Sequence, residues 1–184
     1  TDIRSNTINS NNRNGISIGS TSESIFFTGF YPDYSSPRFI YRNTIDNNGK
    51  DGIHNYYGQL YYVSLNEINN NNRGVYIPES PYGLNSQAAS YIICNDLSYN
   101  ILEGFNYDAK QTTPGQFWGY PGVYRLSHNR VLNNGADGLR YSLPPYATVG
   151  QDPGLLTTYN NHIEGNGFTP NPLYLISGYG INVD

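Results

Sequence analysis

The chain has 184 residues and a formal net charge of −4, enough for one domain with its own core, spanning 1–184, and without the basic excess that holds a phosphate backbone. Charged residues make up 13% and aromatic residues 15%, which excludes a disordered polyelectrolyte, and no apolar run approaches the roughly 18 residues of a membrane span. Cys94 is the only cysteine, so neither an internal disulfide nor a thiolate metal cluster is expected.

Taken in chain order, one pattern recurs six times. Ile3-Arg-Ser-Asn6-Thr-Ile8 comes first and Ile40-Tyr-Arg-Asn43-Thr-Ile45 repeats it. Val63-Ser-Leu-Asn66-Glu-Ile68 and Ile92-Ile-Cys-Asn95-Asp-Leu97 follow, then Leu126-Ser-His-Asn129-Arg-Val131 and Thr158-Tyr-Asn-Asn161-His-Ile163. Three residues beyond the second apolar position stands another asparagine in every copy: Asn11, Asn48, Asn71, Asn100, Asn134 and Asn166. Gly plus an apolar residue follows in each copy, at Gly15, Gly52, Gly74, Gly104, Gly138 and Gly180, and reads Gly-apolar-x-apolar in all but the second, where Asn55 takes the last position. The third copy is one residue short before Gly74, and the sixth carries an insertion before Gly180.

Residues two apart lie on the same side of a strand, so Asn6 and Ile8 both point inward. A buried asparagine is costly when unpaired. Stacked on an identical residue one strand away, its amide donates to one neighbour and accepts from the other. Asn6, Asn43, Asn66, Asn95, Asn129 and Asn161 thus predict one ladder, and the second set of asparagines predicts another. The glycine is expected where the backbone needs positive φ or a close approach. Such ladders require parallel, in-register strands about 4.8 Å apart. The expected fold is all-β: a right-handed parallel β-helix, a single-stranded solenoid of about six coils.

The copies are unequal, Asn43 to Asn66 being the shortest interval. The others carry insertions, most of them after the Gly-apolar-x-apolar strand and rich in aromatic residues and proline. Insertions at one repeat position emerge on one side of a solenoid, so aromatic loops are expected on one side. Tyr31, Tyr34, Phe117, Trp118 and Tyr120 are the candidate contacts there. Three readings stand for them: stacking on sugar rings, contact with a protein partner, or packing against the chain's own surface.

These motifs resemble the parallel β-helix repeats of secreted carbohydrate-active proteins, of surface proteins, and of the copper-site-assembly proteins of denitrification. The resemblance covers nearly all of the chain. It implies the pectate-lyase-like β-helix superfamily, whose members include pectate lyases, polygalacturonases, alginate epimerases, phage tailspikes and passive surface proteins. It therefore implies a fold rather than an activity.

The residue after each first asparagine points outward, giving the column Thr7, Thr44, Glu67, Asp96, Arg130, His162. Glu67 and Asp96 are expected on adjacent coils about 5 Å apart, the carboxylate separation of retaining glycosidases. Arg130 follows on the next coil, where it would support a carboxylate or bind an acidic sugar. Glu67, Asp96 and Arg130 are thus the candidate catalytic set, with surface decoration as the plain alternative. The residue before each glycine gives a second column: Asn14, Asp51, Arg73, Glu103 and Asp137. Asp and Asn favour such turns on their own account. Glu103 and Asp137 are the pair placed to share Ca²⁺, although a hard cation takes more oxygens than two carboxylates supply. No other metal or cofactor is expected. His54, His128 and His162 fall at different template positions, which argues against a histidine-based metal site or triad. Cys94, beside a ladder asparagine, is expected to be a small packed side chain.

The chain opens two residues before the first template position and stops where the template ends. It is expected either to be a segment of a longer protein or to stack on copies of itself, because head-to-tail contacts propagate. The expected function is an extracellular or cell-surface structural module that assembles head to tail. A polysaccharide lyase, a glycoside hydrolase or a carbohydrate-binding module is the alternative. The expected partners are further copies of the chain or a polysaccharide, with neither nucleic acid nor a membrane span.

Overall fold

A computed structural model describes residues 2–18, 39–55, 62–78, 89–108, 123–142, 155–167 and 181–183. All the regular structure within them is strand. The first repeat supplies β1 (Asp2–Arg4), β2 (Thr7–Asn9) and β3 (Ile16–Ile18), and the second β4 (Phe39–Tyr41), β5 (Thr44–Asp46) and β6 (Ile53–Asn55). The third gives β7 (Tyr62–Ser64), β8 (Glu67–Asn69) and β9 (Val75–Ile77). In the fourth, β10 (Ala89–Ile93) and β11 (Phe105–Asp108) flank a single bridging residue, Asp96. The fifth contributes β12 (Val123–Ser127), β13 (Arg130–Leu132) and β14 (Leu139–Ser142); β15 (Leu155–Tyr159), β16 (His162–Glu164) and β17 (Ile181–Val183) complete the set.

Corresponding strands stack in parallel. β1-β4-β7-β10-β12-β15 form one 6-stranded sheet, and β3-β6-β9-β11-β14-β17 another. Between them run β2-β5-β8 and β13-β16, joined through the bridges Glu67↔Asp96↔Arg130. The register is the one the repeat dictates: Ile3 pairs with Ile40, Ile40 with Val63, Val63 with Ile92, and Ile92 with Leu126. The apolar residues of the inward columns form one core, with Ile40, Ile45, Ile68, Ile92, Leu126 and Phe105 wholly buried. Parallel strands stacked in this way are consistent with a solenoid and compatible with a parallel β-helix.

Both asparagine columns are hydrogen-bonded ladders. Asn43 Oδ1 accepts from the Asn6 backbone N–H and from Asn6 Nδ2, each at 3.0 Å. Asn43 Nδ2 in turn donates to Asn66 Oδ1 at 3.0 Å and to the Ile3 carbonyl at 3.0 Å. The same set recurs at Asn66, Asn95 and Asn129, and in the second column at Asn48, Asn100 and Asn134. Each such amide uses both donors and both acceptor positions, so its burial leaves no polar atom unpaired. Consecutive rungs lie 37, 23, 29, 34 and 32 residues apart in sequence, so the ladder absorbs unequal repeat lengths.

Backbone strain and close approach are divided differently from the sequence expectation, which assigned both to glycine. The left-handed residues are those just before each ladder asparagine: Ser5, Arg42, Leu65, Cys94, His128 and Asn160 in one column. Ser10, Asn47, Asn70, Tyr99, Asn133 and Gly165 form the other. The repeat glycines serve close approach instead. A Cβ on Gly15 would lie 2.6 Å from Ile45 Cγ2 and 2.8 Å from the Gly52 carbonyl oxygen. Cys94, expected to be packed, is exposed because it occupies one of these left-handed corners.

Candidate functional site

Glu67, Asp96 and Arg130 come together on successive strands through the bridges that join the two small sheets. Asp96 is already engaged. Arg130 Nη1 lies 2.6 Å from Asp96 Oδ2, and the Ser98 hydroxyl donates to Asp96 Oδ1. Glu67 is exposed beside this pair. With both carboxylate oxygens of Asp96 engaged by Arg130 and Ser98, the arrangement is that of an ion pair on a surface.

The column before the glycines builds a denser cluster. Each of its members lies three residues before the middle of the following strand, so residues i and i+3 make two adjacent polar columns on the outer side of the β3-to-β17 sheet. Asp51, Glu103 and Asp137 are buried, as are His54 and Asn106. His54 Nδ1 lies 2.6 Å from Asp51 Oδ2. Arg73 donates through Nε to Glu103 Oε2 at 3.0 Å and reaches Asp51 Oδ1 at 3.4 Å, so one guanidinium joins carboxylates from the repeats on either side. Arg140 Nη1 stands 3.8 Å from the other Glu103 oxygen. Tyr76 is packed between these groups, with the Arg73 guanidinium 4.3 Å over its ring and His54 edge-on at 5.1 Å. Burial pushes the Tyr76 phenol above its ordinary value; Arg73 opposes this, while Asp108, Asp51 and Glu103 add to it.

Turn preference alone does not account for this column, since its charges alternate in sign along the stack from Asp51 to Arg73 to Glu103. Among the described residues no group of three or more His, Cys, Asp or Glu side chains is placed to hold a metal ion. A Ca²⁺ shared by Glu103 and Asp137 would have to compete with the Arg73 and Arg140 guanidiniums for the Glu103 carboxylate. Glu103 therefore belongs to an ion network.

A further feature escaped the sequence reading. Phe39, Tyr62 and Tyr91 pair in register on the outer side of the β1-to-β15 sheet. Their rings stack at 5.4 and 4.8 Å with 11° between planes, and Arg125 lies 5.5 Å from the Tyr91 ring. The signal was present: each aromatic residue immediately precedes the first inward residue of its copy. Because these rings cover one another's faces, they offer solvent mainly edges, whereas sugar stacking takes a ring face. Tyr31, Tyr34, Phe117, Trp118 and Tyr120, the candidate contact residues, lie outside the described residues.

No protein-family model, curated protein or solved structure matches this chain.

Proposed function

We propose that this chain is a structural module, a right-handed parallel β-helix of six coils, displayed outside the cell or on its surface and assembling head to tail into filaments. The observation that carries the reading is the direction of the two ladders. Each inner rung accepts through Oδ1 from the lower-numbered side and donates toward the higher-numbered side, through Nδ2 and the backbone N–H, or at Asn71 through the backbone N–H. At the low-numbered rung Asn6 and Asn11 donate onward and their side-chain oxygens face the other way along the stack; at the high-numbered rung Asn166 Nδ2 donates to the Val131 carbonyl, and Asn161 Nδ2 to the Leu126 carbonyl and Thr158 Oγ1. Two copies stacked head to tail continue both ladders, and copies stacked head to head oppose like groups. Electron microscopy of purified protein is the test, and a dispersed monomer at high concentration would remove the filament.

A second reading, a polysaccharide lyase or glycoside hydrolase, is favoured by the Asp51–His54 pair, a histidine oriented by a carboxylate beside an arginine and a tyrosine. Its burial ranks it second. Activity on acidic or neutral glycans that is lost in His54→Gln would support it, and activity unchanged in that variant would remove it.

A further inference from the structure

Two outer faces of the protein carry opposite charge in matched spacing. On the β1-to-β15 face stand Arg4, Arg42 and Arg125, with Asp2 the carboxylate among the described residues there. On the face made by β2-β5-β8, Asp96 and β13-β16 stand Asp46, Glu67, Asp96 and Glu164, with Arg130 and His162. Arg130 pairs with Asp96 within one face and Arg4 with Asp2 within the other, which leaves Asp46, Glu67 and Glu164 opposite in sign to Arg42 and Arg125, with Arg4 held by an exchangeable surface pair.

Their order along the stack is the decisive feature. Arg4 belongs to the first strand of its sheet, Arg42 follows the second, and Arg125 lies in the fifth. Asp46, Glu67 and Glu164 occupy the second, third and sixth positions of theirs. A shift of one strand brings the two patterns level along the stacking direction, Arg4 with Asp46, Arg42 with Glu67 and Arg125 with Glu164, while across the strands they stand within a few residues of one another. Both long intervals span three strand spacings, about 14 Å. The match exists only when the two axes run the same way; reversing one copy puts the short and long intervals in the wrong order.

These groups are available. Arg42 rests on the Tyr41 ring at 4.9 Å and Arg125 on the Tyr91 ring at 5.5 Å, and neither has a carboxylate partner among the described residues. Glu67 likewise has no cation there, and Glu164, 73% exposed, meets only His162 at 2.9 Å. Arg4 pairs with Asp2 at an exposed site where partner exchange costs little. Asp46 accepts from Asn70 Nδ2 at 2.8 Å and from Asn47 Nδ2 at 2.6 Å, neither of which is a cation. Between the arginines, Phe39 and Tyr62 remain 40% and 38% exposed and supply apolar area for a dry centre.

We propose that these faces dock on one another in neighbouring copies of the chain, side by side, axes parallel and offset by one strand. The contact is heterologous, so it does not close and extends into a lateral array. It is independent of end-to-end stacking, which uses the ladder rungs rather than the sheet faces.

The test is sedimentation velocity of the whole chain at low and high salt with two double variants, Arg42→Glu/Arg125→Glu and Glu67→Lys/Glu164→Lys. The wild type should associate at low ionic strength and dissociate as salt shortens the Debye length to a few ångströms. Each double variant alone should bind itself about tenfold more weakly or worse. An equimolar mixture of the two should associate again, because the reversed face of one now matches the other's. Circular dichroism of both variants checks that they keep the fold, as expected when all four substituted side chains are exposed. Register is read from single swaps: Arg125→Glu is rescued by Glu164→Arg and not by Glu67→Arg. A wild type that stays monomeric at low salt, or variants that self-associate as it does, would overturn the proposal. Filaments seen in both double variants would show end-to-end stacking surviving without the lateral contact.

Discussion

At the scale of single residues, the repeat is held by positions where side-chain identity and backbone geometry leave little freedom. Gly52 is one. A Cβ there would meet Ile68 Cγ2 and lie 2.8 Å from the Gly74 carbonyl oxygen and 2.9 Å from Asn71 Nδ2. Gly52→Ala should therefore cost about 3 kcal/mol, read as a lower urea midpoint. Leu65 presents the opposite case, an exposed side chain at φ 54°. Asparagine tolerates that region where leucine is strained, so Leu65→Asn should gain about 0.5–1 kcal/mol. Tyr76 makes a pH prediction. Burial holds its folded pKa above the ordinary tyrosine value of 10.0, so its contribution is intact below that pH and is lost as pH rises through the folded value. Melting temperature should fall more steeply above pH 10 in the wild type than in Tyr76→Phe.

At the scale of the element, the ladders do for the turns what backbone pairing does for the strands. Asn95 Oδ1 accepts from Asn66 N at 3.0 Å and Nδ2 at 2.9 Å, and its own amide donates to Asn129 Oδ1 and to the Val63 carbonyl. Asn95→Ala leaves buried donors and an acceptor without partners and should cost about 3 kcal/mol or more. Asn6→Ala, at an exposed rung that only donates, should cost about 1 kcal/mol; equal losses in the two denaturation curves would contradict the ladder's energetic role. This part of the fold was legible in the sequence because hydrogen-bond capacity makes an inward Asn meaningful only in register with another. The left-handed corners were not legible, since Arg42, Leu65, Tyr99 and His128 carry no propensity for them. There the conformation is imposed by the asparagine that follows.

At the scale of the whole molecule, each strand's principal contacts are with its hydrogen-bonded neighbours in the stack. Stability should then be transmitted over one or two repeats rather than globally. Asn134→Ala should speed amide exchange in β13 and β14 while β1 and β2 keep wild-type protection, measured by native-state hydrogen exchange. Of the candidate sites, sequence placed Glu67, Asp96 and Arg130 on successive strands but did not show that Arg130 and Ser98 occupy the Asp96 carboxylate. It dismissed the column before the glycines because Asp51 and Asp137 suit turns. The partners of Asp51, Arg73 and Glu103 appear only once i and i+3 are placed side by side in three dimensions.

The one-way orientation of the ladder amides has a further, electrical consequence. In a parallel sheet backbone N–H and C=O groups point both ways along the stacking direction and largely cancel, but the asparagine carbonyls all face the low-numbered end. Each amide carries a dipole of roughly 3.5 D, and twelve aligned amides give this all-β protein an axial macrodipole of the kind associated with helices, positive toward Asn161 and Asn166. Copies arranged with axes parallel would add these moments, and a suspension of such arrays should align in an electric field, observable as electric birefringence that grows with assembly.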